Sequence, residues 1–188
     1  MILKRVFDFL LAAILLLFLI VPGLFLWAAI RLTSEGPGIY WSERVGKDNI
    51  IFKMPKFRTM MKNTPPVATH LLINPKAHLT SIGTFLRRNS LDEIPQILCI
   101  LSGQMTFVGP RPALFNQRNL IAMRSKVGVE KLLPGLTGWA QVNGRDDLNL
   151  QQKVALEIEY MERQSFKFDI KILWMTFLNV LTRDGILH

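Results

Sequence analysis

Two adjacent carboxylates, Asp92 and Glu93, follow two arginines in the stretch RRNSLDEIPQI, which begins at Arg87. A carboxylate is already ionised at neutral pH, so it can act as a nucleophile without a neighbouring base. Its attack on a phosphate is opposed by about 4 kcal/mol for charges roughly 4 Å apart at an effective dielectric of about 20. Such chemistry therefore requires cations between the two groups. Glu93 can hold Mg²⁺ together with substrate phosphates, and Arg87 and Arg88 can neutralise the remaining charge.

A structural role for the same residues is the competing interpretation. Ser90 and Glu93 have the spacing of a capping box, in which each side chain accepts a hydrogen bond from the other residue's backbone N–H at a helix start. Within this stretch alone, the capping box is the simpler explanation. Pro95 weakens it, because with Ser90 as N-cap the proline cannot donate to Leu91 and disfavours helical geometry at Ile94.

Further cations occupy stiff local settings elsewhere in the chain. Arg111 lies between two prolines, Lys56 and Arg58 follow Pro55, and Arg145 ends the stretch LPGLTGWAQVNGR. Proline and glycine limit the entropy that such side chains lose on binding, and arginine matches phosphate oxygens bidentately. Each cation alone could be a solvated charge or a lipid-headgroup contact. Their number in one small chain favours a phosphorylated substrate.

The composition narrows the class of protein. The chain has 188 residues and a net charge of +9, which favours nucleic acid, an acidic membrane surface or a phosphorylated substrate as partner. Its single cysteine, Cys99, excludes an intrachain disulfide and a cysteine-based zinc site. No stretch resembles a phosphate loop, a dinucleotide-binding turn, a helix-turn-helix, a zinc finger or an RNA-recognition motif. We therefore expect no nucleic-acid partner.

The N-terminal segment is a separate physical unit. From Phe9 to Ile30 every residue is apolar, glycine or proline, which gives about 33 Å of helix, enough to cross a bilayer. A signal peptide and a straight transmembrane anchor are the alternatives. Pro22 lies inside the run, where it bends a helix, and cations flank both ends, which favours the cytoplasmic side for both. We therefore predict a re-entrant membrane helix over residues 1–35, broken at Pro22, and a cytosolic-face domain over residues 36–188.

The remaining sequence predicts a small mixed domain. Two apolar stretches, Ile39–Trp41 and Ile50–Phe52, flank a turn and predict a β-hairpin. Helical spacing follows over residues 94–101, 120–127, 151–163 and 168–181. The last of these is almost wholly apolar but only about 21 Å long, so it is a core helix or lies in the membrane interface. The predicted fold is α+β and mostly helical, with a re-entrant membrane helix, a β-hairpin and interfacial amphipathic helices.

Five motifs occur in order along the chain: ERVGKDNIIFKMPKFRTM, GTFLRRNSLDEIPQILCIL, GQMTFVGPRP, LPGLTGWAQVNGR and Y…SFKFDIKIL. Together they resemble the bacterial sugar transferase family, the monotopic phosphoglycosyl transferases. The similarity extends from about Phe7 to Leu181. The length resembles the small form of the family, which is typified by the enzyme that starts bacterial N-glycan assembly and has no additional transmembrane domain.

The resemblance implies an enzyme that transfers a sugar-1-phosphate from a UDP-sugar to undecaprenyl phosphate and releases UMP, using Mg²⁺. This reaction is the first membrane step of glycoconjugate biosynthesis. The resemblance also implies a location on the cytoplasmic face of the bacterial inner membrane. The family is held in the phospholipid bilayer by a re-entrant helix broken at a proline, which here would be Pro22.

Roles for individual residues follow from the same resemblance. The adjacent Asp-Glu pair of the family falls on Asp92 and Glu93, so the aspartate would carry the phosphosugar covalently and the glutamate would bind the metal. Cys99, Gln104 and Glu157 depart from the usual pattern, and we expect them to affect sugar preference and local packing more than the reaction. The basic positions expected to handle phosphates and nucleotide are Lys56, Arg58, Arg87, Arg111 and Arg145.

Two other classes of function stay open at this point. A non-catalytic adaptor could use the same cations to bind anionic lipid at the membrane surface, at roughly 1 kcal/mol per basic residue. A membrane-tethered nucleic-acid binder would show a salt-dependent shift of DNA or RNA. Release of UMP from a UDP-sugar distinguishes the enzyme from both.

Overall fold

A long apolar helix and a small helical domain with two short sheets form the structure, a computed structural model that describes residues 2–65, 67, 74–144 and 147–182. Its helices are α1 (Ile2–Thr33), α2 (Gly83–Arg88), α3 (Ile97–Leu101), α4 (Arg118–Val127), α5 (Trp139–Val142), α6 (Leu150–Arg163) and α7 (Phe166–Thr182). Its strands are β1 (Ile39–Val45), β2 (Ile51–Phe57), β3 (Thr106–Val108), β4 (Ala113–Leu114) and β5 (Gly135–Thr137). The predicted α+β, mostly helical class is confirmed.

The apolar N-terminal run forms a single helix, α1, with Pro22 inside it. An 18-residue window of α1 has a mean hydropathy of 3.0, and only 11% of that window is buried. A helix of this length and composition, with most of its side chains uncovered, indicates membrane association. One narrow stripe packs on the domain, where Asp8, Ala12 and Ile30 are buried.

The predicted hairpin is confirmed and is longer than expected. β1 and β2 pair antiparallel from Ile39 opposite Phe57 to Val45 opposite Ile51. β4 pairs with the other edge of β1, while β3 and β5 form a separate parallel pair. β2 packs against a 3₁₀ helix over Leu91–Gln96, so one face of the hairpin covers the stretch that carries the two adjacent carboxylates.

Three predicted helices are confirmed by α4, α6 and α7, but the stretch 94–101 behaves differently. It begins as the 3₁₀ helix Leu91–Gln96 and becomes α-helical only at α3. Pro95 explains the difference, because its ring and its missing N–H oppose α-helical bonding in the preceding turn. A capping box does occur in the chain, at the start of α6, where Asn149 and Gln152 exchange side-chain to backbone bonds.

Two apolar clusters hold α1 on the domain. In one, Ile30 of α1 packs with Phe57 and Leu86. In the other, Ala12 of α1 packs with side chains from α3, β3, α6 and α7, namely Ile97, Ile100, Phe107, Tyr160, Phe168 and Ile172. Both halves of the helix therefore contact the same domain.

Candidate active site

The adjacent carboxylates lie on the 3₁₀ helix Leu91–Gln96, directly after α2. Ser90 adopts a left-handed conformation with φ of 53° and makes no side-chain bond to the helix start, so the capping-box interpretation is wrong. Asp92 is only 8% exposed, and the Glu93 side chain is 13% exposed. Two neighbouring charges with so little access to water require nearby cations.

Lys56 on β2 is the cation that reaches both carboxylates. Its Nζ donates to Glu93 Oε1 at 2.8 Å and lies 3.9 Å from Asp92 Oδ2. Alternation along β2 directs this side chain toward the 3₁₀ helix, and burial lowers the pKa of the Lys56 ammonium. The lysine singled out in the sequence is therefore placed in the site.

Arg111 supplies a second cation from the loop between β3 and β4. Its Nη2 donates to the same Glu93 Oε1 at 2.9 Å. The loop is fixed by β5, because the Gly135 N–H donates to the carbonyl of Pro110 at 2.9 Å. A Cβ atom at residue 135 would lie 2.1 Å from the backbone nitrogen of Gly109, so this approach requires glycine.

A buried ion pair supports the loop that carries Arg111. Arg124 on α4 donates through Nη2 to the backbone carbonyl of Arg111 at 2.9 Å. The same guanidinium donates from Nε to Glu157 Oε2 at 2.8 Å and from Nη2 to Glu157 Oε1. Arg124 is 7% exposed and Glu157 is 2% exposed. This two-pronged pairing has a fixed geometry, so it holds the backbone of Arg111 in place. The sequence did not reveal this role for Arg124 or Glu157.

Arg87 on α2 lies close to the carboxylates, as predicted. Its Nε donates to Thr59 Oγ1 at 2.9 Å. Burial lowers the pKa of Arg87, and the negative charges of Asp92 and Glu93 oppose that shift. The guanidinium therefore belongs to the same electrostatic cluster.

Arg44 on β1 is a further member of the cluster, which the sequence motifs did not reveal. It donates to the carbonyl of Pro112 at 3.1 Å. Burial and the neighbouring Arg111 lower the pKa of Arg44 to about 10, while Glu93 opposes the shift. The alternation of the hairpin could have revealed it, since Arg44 and Lys56 share a face in the observed register.

The other predicted cations lie elsewhere. Arg58 is 5% exposed and donates through Nη2 to the carbonyl of Ser34 at 2.9 Å, just beyond the end of α1. Arg88 is exposed at the end of α2, and within the described residues no ion pair links it to the carboxylates. Arg145 lies outside the described residues. Phosphate binding by these three arginines stays a prediction.

The two carboxylates have opposite pKa shifts. Burial opposes ionisation of Glu93, but Lys56 and Arg111 together hold the pKa of Glu93 well below its usual range. For Asp92, burial dominates and raises the pKa, with Lys56 opposing the shift and Glu93 adding to it. When the surroundings shift the pKa values of two carboxyl groups in opposite directions, the two groups are suited to different roles. The surroundings therefore favour the ionised form of Glu93 more strongly than that of Asp92.

The site fits a magnesium ion only with help from a substrate. Within the described residues, no group of three or more histidine, cysteine or acidic side chains is placed to hold a metal. Glu93 Oε1 is engaged by Lys56 and Arg111, which leaves Glu93 Oε2 and Asp92 as protein ligands. Magnesium commonly takes one or two carboxylates and completes its shell with substrate phosphates and water. The donor set fits that arrangement, and Mg²⁺ at Glu93 stays a prediction.

Comparison with known proteins identifies relatives along the whole chain. The family described as bacterial sugar transferase matches residues 1–183. The chain is 37% identical over 186 residues to the uncharacterized sugar transferase EpsL of Bacillus subtilis. That match covers 99% of this chain and 91% of EpsL.

Two relatives with named activities are longer. The UDP-glucose:undecaprenyl-phosphate glucose-1-phosphate transferase of Escherichia coli is 40% identical over 184 residues, covering 93% of this chain and 39% of that protein. The undecaprenyl-phosphate galactose phosphotransferase of Salmonella typhimurium is 34% identical over 201 residues, covering 97% of this chain and 41% of that protein. The chain thus spans about two fifths of these enzymes and nearly all of EpsL. Because the family model matches residues 1–183, the chain belongs to the bacterial sugar transferase family.

Proposed function

We propose that the protein transfers a sugar-1-phosphate from a UDP-sugar to undecaprenyl phosphate and releases UMP, at the first membrane step of glycoconjugate biosynthesis. The observation that carries the proposal is the buried pair Asp92 and Glu93, with opposite pKa shifts beside Lys56 and Arg111. The family and the named activities of two relatives support the same reaction. A lipid-binding adaptor would direct its cations at headgroups, whereas Lys56 and Arg111 face carboxylates within the protein.

Asp92 acts as the nucleophile in the first half of this reaction. One carboxylate oxygen attacks the phosphorus that bears the sugar, and the bond from that phosphorus to the bridging oxygen of the diphosphate breaks. UMP leaves with the electron pair of that bond, and Asp92 carries the phosphosugar as an acyl phosphate. Burial raises the pKa of Asp92, which strengthens the ionised oxygen as a nucleophile.

The cationic cluster makes this attack on an anion feasible. Lys56 lies between the two carboxylates, and Arg87 and Arg111 act on both of them. A cation roughly 4 Å from a phosphate charge contributes about 4 kcal/mol at an effective dielectric of about 20, which offsets the repulsion by Asp92. Mg²⁺ held by Glu93, Asp92 and the substrate phosphates would supply further charge neutralisation.

The second half of the reaction regenerates the carboxylate. An oxygen of undecaprenyl phosphate attacks the same phosphorus, and the bond from phosphorus to Asp92 breaks. Asp92 recovers the electron pair, and the lipid leaves with a sugar attached through a diphosphate. Because UMP leaves before the lipid phosphate arrives, the two anionic substrates never occupy the site together, and the kinetics are ping-pong.

The covalent step is tested with a panel of UDP-sugars and no lipid acceptor. The accepted UDP-sugar should release at most about one UMP per active site, the burst expected of a covalent intermediate. Mass spectrometry of a rapidly quenched sample should show a phosphosugar adduct on the peptide that contains Asp92. Asp92→Asn should keep the fold and lose both burst and adduct. UMP release that requires the lipid acceptor would contradict the covalent mechanism.

We further propose a monotopic arrangement on the cytoplasmic face of the bacterial inner membrane. In this arrangement, residues 1–35 form a re-entrant unit that turns back at Pro22, and residues 36–188 form the catalytic domain. Lysine and arginine at both ends of the apolar run support a cytoplasmic position for both ends. The backbone groups that a proline leaves free at membrane depth need partners from neighbouring parts of the protein.

Contacts at both ends of α1 support this topology. Near the start, Arg5 donates to the carbonyls of Ile100 and Leu101. Near the end, Ile30 packs on Phe57. In a straight spanning helix, Arg5 and Ile30 would lie about 38 Å apart on opposite sides of the membrane. One small domain that contacts both ends is compatible with both ends on one side.

The topology is tested with single cysteines in place of Leu3 and Glu35, which are both exposed. Burial raises the pKa of Cys99 to about 11, so the native thiol is a poor nucleophile and gives little background. In intact cells, both introduced cysteines should resist a membrane-impermeant thiol reagent and should react once the cells are opened. Ready labelling of one of them in intact cells would instead indicate a spanning helix.

A further inference from the structure

A groove of about 300 Å³ is lined by residues of α1 and α7 and includes Glu93 in its lining. Its volume is at the lower end of the range for ligand pockets, which is roughly 300–1,000 Å³. Most of its lining is apolar. The apolar lining includes Leu15 and Leu19 of α1, Leu173 and Val180 of α7, and also Ile97 and Phe107.

The two helices are joined at their N-terminal ends. The rings of Phe7 and Phe166 pack edge to face with centroids 5.1 Å apart, and Lys4 pairs with Asp169. Further along, the helices form opposite walls of the groove. The contacts at the N-terminal ends therefore close one end of the space between α1 and α7.

Polar side chains in the groove are largely engaged with one another or with the backbone. Thr137 and Thr176 share a hydrogen bond between their hydroxyls at 2.7 Å. Gln141 and Asn179 each donate from the side-chain amide to a backbone carbonyl. Away from Glu93 the groove thus offers mainly hydrocarbon contacts. Among the described lining residues Glu93 is charged, and Lys56 and Arg111 donate to it from outside the lining.

Exposed apolar side chains stand beside the groove-lining residues on both helices. On α1, next to the groove-lining leucines, Leu17 and Phe18 are 76% and 74% exposed. On α7, Phe177 and Leu181 are 53% and 63% exposed. A hydrocarbon chain can pass from such a surface into the groove without crossing water.

We propose that this groove receives the isoprenoid chain of the polyprenyl phosphate acceptor and directs its phosphate to the phosphorus carried by Asp92. The assignment rests on the proposed transfer reaction. The surroundings of Glu93 suit a phosphate, because Lys56 and Arg111 both donate to this carboxylate and so lie directly beside the groove lining. The apolar walls match the adjoining hydrocarbon. A soluble acceptor would make no use of either the walls or the exposed apolar side chains beside the groove.

Filling the groove tests the assignment. Leu19→Trp places a larger side chain on the α1 wall, and Leu17→Trp is the matched control, since Leu17 lies outside the groove lining. The UMP burst with UDP-sugar alone measures the amount of competent enzyme. At equal burst, Leu19→Trp should raise the KM for undecaprenyl phosphate by about tenfold, as expected when hydrocarbon contacts are displaced. Leu17→Trp should leave that KM unchanged.

A second pair of variants covers the case in which Leu19→Trp does not fold. Val180→Trp fills the groove from α7, and Leu181→Trp is its exposed neighbour outside the lining. The same rise in KM is expected for Val180→Trp and not for Leu181→Trp.

Photocrosslinking gives a measurement that does not depend on turnover. A polyprenyl phosphate with a diazirine close to its phosphate should label the groove-lining segments of α1 and α7. Equal KM values within each tryptophan pair, or labelling confined to the outer faces of these helices, would overturn the groove assignment. Failure of the unmodified protein to release UMP from any UDP-sugar with acceptor present would instead contradict the proposed function.

Discussion

Replacing Lys56 with methionine tests the electrostatic basis of the site. Lys56 Nζ lies 3.9 Å from Asp92 Oδ2. That separation corresponds to about 4 kcal/mol at an effective dielectric of about 20. Burial already raises the pKa of Asp92 and Lys56 opposes the shift, so removal of Lys56 should raise that pKa further. Arg87 and Arg111 still oppose the rise, so we expect it to reflect only part of that energy.

The consequence appears in the pH dependence of the first half-reaction. Only ionised Asp92 attacks, so the acid limb of the UMP burst rate should move to higher pH in Lys56→Met. Lys53→Met is the matched control, because Lys53 is exposed and alternation along β2 directs it to the opposite face. Circular dichroism and thermal unfolding establish that both variants fold. An unchanged acid limb in folded Lys56→Met protein would refute the electrostatic reasoning.

Three further predictions concern the metal, the loop support and the membrane helix. Glu93→Gln should raise the Mg²⁺ concentration for half-maximal activity by about tenfold or more, measured by titration after chelation; an unchanged value would remove Glu93 from metal binding. Glu157→Gln should lower the free energy of unfolding, measured by denaturant titration, by about 3–5 kcal/mol, because Arg124 is left buried without its carboxylate. Glu162 is exposed on the same helix, so Glu162→Gln should have little effect in the same titration. Pro22→Leu should favour a straight α1 and lower the amount of active protein in membranes, and full activity would show that the proline is dispensable.

The stretch that carries the two carboxylates can be recognised from the sequence because its information is local. Asp92, Glu93 and Arg87 lie within a few residues of one another, and Arg111 is marked by its flanking prolines. Arg58 shows where local information ends. It stands only two residues after Lys56, yet it donates to the carbonyl of Ser34, a partner that depends on where α1 ends against the hairpin.

The two capping patterns show a related effect. Ser90 and Glu93 have the spacing of a capping box, but the helix start there is 3₁₀ and Ser90 makes no cap bond. Asn149 and Gln152 have the same spacing and do form the box. The stretch around Ser90 contains Pro95, which opposes the α-helical turn that a box would begin. Spacing alone therefore does not define a cap, and the residues that follow decide it.

The bonds made by the start of α1 have a consequence for how the protein is made. Lys4 pairs with Asp169, 165 positions later in the chain, and the buried Asp8 accepts a bond from Thr106. The ribosome therefore synthesises α1 long before it synthesises Asp169 and Thr106, which pair with the charged side chains of α1. Until then, Lys4 and Asp8 of the nascent helix have no partners from the domain. Docking of α7 can occur only after residues 166–182 have been synthesised. A chain that stops before α7 therefore leaves Lys4 without its carboxylate partner and one side of the shared core uncovered.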